Sequence, residues 1–459
     1  MTAYTASEQP SEQLESDLSR AVLASDSTRN PGCAVQQYTY ETGPPPDGGF
    51  QAWSQTVVAH LVMFNSWGYI NSFGFFQSYY VSALDVSPSA ISWVGSVQIF
   101  LIFFVGTFSG RATDAGHYRK VLASGIFLQL VGVFMTSLST KYWQLFLSQG
   151  VCTGLGDGLT FCPTIALLAT YFAKRRSMAI AINASGAGSG GIIFPLIAQQ
   201  LLPQIGFGWT VRIMGFVMLF NTAIILALAR TRLPPRQLGP VVEWSSFREL
   251  PYVLFCVGMF LSFWAIFFAF YYASYSSTLA SSPSNVSKVP TYGRTVIGVS
   301  SSTSLTLLLV MNAVGIPARI LLALLSDRFI GPMRTLILTT AFSGILLYCW
   351  VSVSSVGRLF GFCIIYGSFA GGVQSVFPAA CSGLTTDLNK MGVRTGMVFS
   401  VVSVACLTGP PLAGALIERN DGNFLYAQVF GGSALMGGTL VLIAVALSNG
   451  TISLPRLRK

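Results

Sequence analysis

In a chain with few charges, Arg319 stands inside the apolar run VMNAVGIPARILLALLSD, residues 310–327. It lies about eight residues, or ~12 Å at helical rise, from the end of that run. A charged side chain at such a depth in a bilayer costs at least ~2.5–3.5 kcal/mol, so it must face a cavity or a partner. Guanidinium stays charged, and its planar fork fits a carboxylate through two hydrogen bonds. Two readings follow: a site for an anion, or a structural ion pair. A second ionisable residue, Asp157, sits in GLGDGLTFCP, residues 154–163. A buried carboxylate there has three possible roles: a proton-binding site, a counter-ion for Arg319, or a polar packing residue between close-packed helices. His60 is either a cavity-lining group or a satisfied polar residue near the membrane interface. Asn65, Asn71, Gln77, Gln98, Asn312 and Gln374 offer hydrogen bonds without charge. The aromatic run LFCVGMFLSFWAIFFAFYY, residues 254–272, is mostly packing and lipid-facing surface, with Phe267 and Tyr271 as candidates to line a cavity for a bulky or ring-containing ligand.

Other chemistries lack their residues. The eight cysteines include no C-x-x-C pair and mostly fall in apolar segments, where they read as small packing residues. With two histidines and 16 acids, the chain offers no metal cluster, no phosphate-cradling loop and no nucleophile–base pair. An enzyme is not expected, and no cofactor or metal is implied.

The elements that position these residues follow from composition. The chain has 459 residues, 52% hydrophobic and 9% charged, with mean hydropathy +0.61. Soluble domains carry about a quarter charged residues. The chain is therefore expected to be an all-α polytopic membrane protein. Twelve apolar runs suit spans, at roughly 52–80, 89–110, 119–138, 142–169, 179–203 and 209–230, then 251–280, 302–326, 334–354, 359–384, 395–417 and 425–447. Of the 26 Lys and Arg, nineteen fall in the segments on one side, six on the other, and Arg319 within the membrane. That asymmetry puts both termini in the cytoplasm. It also explains the net charge of +10 without nucleic acid. Residues 1–46, polar and closing on ETGPPP, read as a disordered cytoplasmic tail with no signal-peptide pattern. Residues 231–250 read as a cytoplasmic linker between bundles at 47–230 and 251–447, and 448–459 as a short cytoplasmic tail. Asn285, in Asn285-Val-Ser287, is a glycosylation candidate in an outward loop.

The two halves echo each other. GRATDAGHYRK (110–120) and ALLSDRFIGPMR (323–334) share a small-x-x-x-Asp pattern followed by Gly and a base: Gly110, Asp114, Gly116 and Arg119 against Ala323, Asp327, Gly331 and Arg334. Pro163 precedes Arg175 by the same interval as Pro378 precedes Lys390. Repeats of six spans in the same orientation imply two six-helix bundles related by an axis along the membrane normal, with a ligand site between them near the midplane.

These features resemble the major facilitator superfamily. Two stretches narrow the resemblance. PDGGFQAW (46–53) and YFAKRRSMAIAINASGAGSGG (171–191) are similar to the signatures of the monocarboxylate porter family, D-G-G-[aromatic]-x-W and Y-F-x-[KR]-R-x-x-A-x-G-x-A-x-x-G. One extra residue precedes Trp53, and Ala181 and Asn183 stand where Gly and Ala are usual. The long tail and short central loop look like the family's fungal members. The resemblance covers residues 46 to 447 and implies a secondary transporter working by alternating access on an organic anion or related small organic solute. Arg319 aligns with the family's substrate arginine, with Asn71, Asn312, Phe267 and Tyr271 near it and Asp157 or His60 in coupling. Two departures matter. The acid usual four residues before this arginine is Gly315, and the proton-coupling lysine of animal lactate carriers is Asn71, so lactate–proton transport does not follow from membership. Asp47, Gly48 and Gly49 read as a helix-start signal, with Phe50 and Trp53 in an interfacial aromatic belt. Lys174, Arg175 and Arg176 are membrane anchors, and Gly186, Gly188, Gly190 and Gly191 allow close packing. Asp114, Asp327 and Arg328 resemble the superfamily's gating motif. The expected partners are a small organic solute and the bilayer, most naturally the plasma membrane; an accessory membrane protein is left open. The alternative readings are export of a secondary metabolite and, less expected given long extensions in such proteins, a solute sensor that moves nothing.

Overall fold

The computed structural model describes residues 45–86, 88–232, 242–270, 301–384, 391–420 and 423–449. All regular structure among them is helical. Helix α1 comprises Gly49–Met63, a widened π turn at Phe64–Gly68, and Tyr69–Leu84. α2 is Pro88–Ala112 and α3 Tyr118–Thr136. α4 comprises Tyr142–Leu145, a π segment at Phe146–Thr153 and Gly154–Tyr171. The run Arg176–Leu228 is broken at Gly206, whose φ of 76° and ψ of 173° no helix accommodates, and so forms α5 and α6. α7 is Leu250–Ile266, α8 Ser301–Leu325, α9 Pro332–Trp350, α10 Val356–Gly383, α11 Met391–Arg419 and α12 Leu425–Ser448. Tyr271, Asn285, residues 1–44 of the expected tail, 233–241 of the expected linker and 450–459 lie outside the described residues.

Among the described residues, ten helices are long and apolar enough to cross a membrane, counting Arg176–Leu228 once. α1 is not among them, because polar side chains dilute its apolar run. Those side chains point inward: Gln55, Asn65, Ser66, Ser72 and Gln77 are buried. Large apolar residues such as Phe127, Phe220 and Leu440 are exposed on the outer surface, as a lipid-facing wall requires.

The packing obeys the sixfold shift of the repeat. α2 lies along α11, and α5 along α8; moving each partner by six helices exchanges the two pairs. The echoing loops also share a shape. Thr113–His117 and Ser326–Ile330 are both π turns, and each carries or ends on a glycine at φ 86°, Gly116 and Gly331. The N-terminal half has one apolar core at its basic end (Val58, Tyr118, Leu168, Phe172) and another at the opposite end (Tyr69, Phe73, Phe194, Met214). A third core crosses between halves, joining Trp67, Phe103 and Phe161 to Phe263, Phe267, Phe377 and Phe399. Small residues let the backbones approach: a Cβ on Gly190 would stand 2.5 Å from Phe64 O, and one on Gly156 2.5 Å from Gln129 N.

Candidate functional site

Arg319 projects from α8 into a slot walled by glycines. It is 3% exposed. A Cβ on Gly315 would stand 3.0 Å from its Nη1, one on Gly188 of α5 3.3 Å from Nη1, and one on Gly371 of α10 3.3 Å from Cζ. Three helices thus give up side chains to make room for one guanidinium. Nη2 donates to Gln374 Oε1 at 3.5 Å, while Nε and Nη1 are buried with no hydrogen-bond partner. Buried donors left unpaired are costly, more so on a charged group. Arg319 is therefore shielded from lipid, meets no acid among the described residues, and keeps two donors unpaired.

Asn71 of α1 meets Asn312 of α8 one and a half to two turns along. Asn71 Nδ2 donates to Asn312 Oδ1 at 3.4 Å and to Ala187 O at 3.2 Å, linking the two halves. Beside this pair opens a cleft lined by Trp67, Ile70, Asn71, Gly74, Ile99, Phe267, Phe270 and Leu308, with about 370 Å³ of empty volume, part of it open to the outside. Trp67 and Phe267 stack across the two halves, their centroids 5.7 Å apart and planes 13° from parallel. The buried Trp67 indole Nε1 has no partner. Nearer the basic ends the halves close: Thr107 Oγ1 of α2 donates to Gly396 O of α11 at 2.7 Å and lies 2.8 Å from Ser400 Oγ.

Other expected residues lie elsewhere. Asp157 does not meet Arg319; Gln98 of α2 and Gln129 of α3 donate to its two oxygens. His60 is tied to α5: Nδ1 donates to Ile182 O at 2.9 Å, and Nε2 lies 3.1 Å from Ser189 Oγ. Asn65 and Gln77 serve packing, bonded to Met218 O and Asn221 and to Ser92. Asp327 and Arg328 are exposed, and Arg328 lies over the Phe329 ring at 5.8 Å. The side chain of Asp114 is outside the described ones. A charged cluster at the basic end had no sequence signal beyond charge: Arg394 of α11 is paired with Glu249 before α7 and stacked on Tyr252 at 4.9 Å.

The two signature stretches form one unit. Asp47, at φ 50°, does not cap its own helix. Its Oδ1 accepts from the backbone N–H of Ala173 (2.6 Å) and Lys174 (2.8 Å), and its own N–H donates to Tyr171 O. Trp53 packs edge-on against Phe172, centroids 5.2 Å apart, and is half-buried, while Phe50 is exposed. Arg176 Nε and Nη2 donate to Phe172 O and Ala169 O, closing the end of α4, while Lys174 and Arg175 are exposed. Desolvation pushes the Asp47 carboxyl up, but the backbone N–H groups of Ala173, Lys174 and Arg175 and the Lys174 charge outweigh it, holding the group below the usual carboxylate value. Such a group stabilises the fold above its unfolded value, and the contribution is lost as pH falls through the lower folded value. Asp47→Ala is expected to speed tryptic cleavage at Lys174–Arg176 several-fold in membranes at neutral pH. Unchanged cleavage would show that the clamp does not order the loop.

The profile of the Major Facilitator Superfamily matches residues 57–388. An "MFS-type transporter" of Gibberella zeae is 44% identical over 430 residues, 94% of this chain and 92% of that one. The "Aspyridones efflux protein apdF" of Emericella nidulans is 34% identical over 412 residues, 89% and 80% of the two chains. In fold, the crystal structure of the human organic anion transporter MFSD10 (TETRAN) superposes with a TM-score of 0.62 at 12% identity, covering 86% of this chain and all of that one. Paired six-helix halves meeting through α2–α11 and α5–α8, a cleft between them, and these sequence matches lead to one conclusion: the chain belongs to the major facilitator superfamily and is an MFS-type transporter.

Proposed function

We propose that the protein exports a ring-bearing organic anion by alternating access, the anionic group binding Arg319 and the ring packing in the cleft at Trp67 and Phe267. One observation carries the reading: a guanidinium sealed between three helices keeps two unpaired donors where the family pattern has an acid and this chain has Gly315. A cargo carboxylate supplies the missing partner. Asn71 and Asn312 lie on the way from the cleft to Arg319, and the unpartnered Trp67 Nε1 offers a hydrogen bond to an oxygen on the ring. Closure at the basic ends with a cleft beyond fits one of the two states of the cycle.

Export is favoured by the likeness to the aspyridones efflux protein apdF. The contact of Asp47 and Trp53 with the 171–174 stretch supports placement in the monocarboxylate porter family, since both signatures serve one joint. The charge asymmetry of the loops supports cytoplasmic termini; the plasma membrane is the proposed location, with bundles at 47–230 and 251–447.

The test is flux in reconstituted vesicles, comparing aromatic carboxylic acids with their neutral methyl esters. Protein-dependent flux of the acids, at least about tenfold above the esters, is the expected result. Equal protein-dependent flux of acid and ester would overturn the assignment of Arg319.

A further inference from the structure

We propose that Asp157 is a second binding site, for a proton, separate from the anion site at Arg319 and loaded from the central cleft during transport. The carboxylate is fully buried, 0% exposed, between α2, α3 and α4. Its partners are two amides: Gln98 Nε2 donates to Oδ2 at 3.0 Å and Gln129 Nε2 to Oδ1 at 2.5 Å. Glycines hold the helices against it; a Cβ on Gly154 would stand 3.0 Å from Gln98 Cα, and one on Gly158 2.6 Å from Leu101 O.

No cation compensates the charge among the described residues. From α1, Tyr69 faces the group closely enough for the carboxylate charge to act on it. His60 of the same helix is committed to Ile182 and Ser189. Of the cations of the neighbouring helices, Arg119 donates to Ala229 O and Arg176 to Phe172 O and Ala169 O, at the basic ends. A buried carboxylate without a cation is expensive, and a proton removes that expense.

The cage suits both forms. Gln98 Oε1 is buried with no donor. Half a turn of the Gln98 amide exchanges Nε2 for Oε1 at Oδ2. The amide then accepts the O–H of a protonated carboxyl where it had donated to the anion, with no movement of backbone. A lysine or arginine in that place would hold the anion alone. The next residue of α2, Ile99, lines the cleft. The π segments at Phe64–Gly68 and Phe146–Thr153 end at Tyr69 and Gly154, beside the acid, and such segments are where a helix can change register.

Infrared difference spectra of the purified protein in lipid, taken on acidification, test the site without any cargo, so the result stands apart from the reading of Arg319. A protonated-carboxyl band that titrates in the wild type and is missing in Asp157→Asn is expected; identical spectra overturn the proposal. If Asp157→Asn does not fold, Gln98→Leu serves, and it should displace the titration midpoint about tenfold in proton concentration. An unmoved midpoint counts against the site. In vesicles with an imposed pH difference, wild-type flux of an aromatic acid should follow the gradient and Asp157→Asn flux should ignore it. An equal response by both overturns the coupling.

Discussion

Replacing Arg319 with alanine is expected to leave the protein folded in the membrane and to remove transport of the anionic cargo. Truncating one side of a buried, hydrogen-bonded charge pair costs about 2–5 kcal/mol, which is roughly 30-fold to several thousandfold in affinity. Folding should survive, because the guanidinium makes one long bond, to Gln374, and its Nε and Nη1 have no partner among the described residues. Removing it relieves a buried charge that no acid among the described residues compensates. Arg319→Lys should be intermediate: a point charge remains, but the fork and its second hydrogen bond are lost. Membrane fractionation with flux of an aromatic acid checks both variants. Wild-type flux in Arg319→Ala would mean that the guanidinium does not touch cargo.

Gly315→Asp should have an effect almost as large by the opposite route. The new side chain begins within contact distance of Arg319 Nη1 and gives the guanidinium an internal counter-ion. At ~4 Å and an effective dielectric near 20, such a pair is worth about 4 kcal/mol before desolvation. Cargo must then compete with a tethered carboxylate. The variant should fold at least as well as the wild type, and its apparent KM for aromatic acids should rise at least about tenfold at neutral pH. The two variants form a contrast: one removes the charge, the other satisfies it, and both abolish the vacancy a cargo anion fills. An unchanged KM would show that the open fork is unrelated to binding.

The helical spans, the doubled half and the place of Arg319 inside a span were legible because each rests on local properties: run length, charge placement and repeated spacing. The pairing of Asn71 with Asn312 was legible only as two polar residues. Their meeting depends on which face of α1 turns to α8, and helices buried on most sides carry little periodic signal. For the same reason Gln129 gave no sign of being a partner of Asp157, and Trp67 no sign of stacking on Phe267 across the two halves. Arg394 counted only toward membrane orientation, yet it is 5% exposed, bound to Glu249 and stacked on Tyr252. Trp53 suited an interfacial belt by type, but its seat on Phe172 depends on a contact between residues more than a hundred apart. Asp47 reads as part of a helix start, and a helix does begin at Gly49, but its carboxylate's partners, the N–H groups of the loop before α5, carry no local signal.

The anion site is tested most directly by a structure of the protein in lipid with bound cargo, using the aromatic acid that moves fastest in the vesicle assay. The expected result is its carboxylate within hydrogen-bond distance of Arg319 Nε and Nη1, with the ring against Trp67 and Phe267. Cargo bound elsewhere, with those two nitrogens still unpaired, would contradict it.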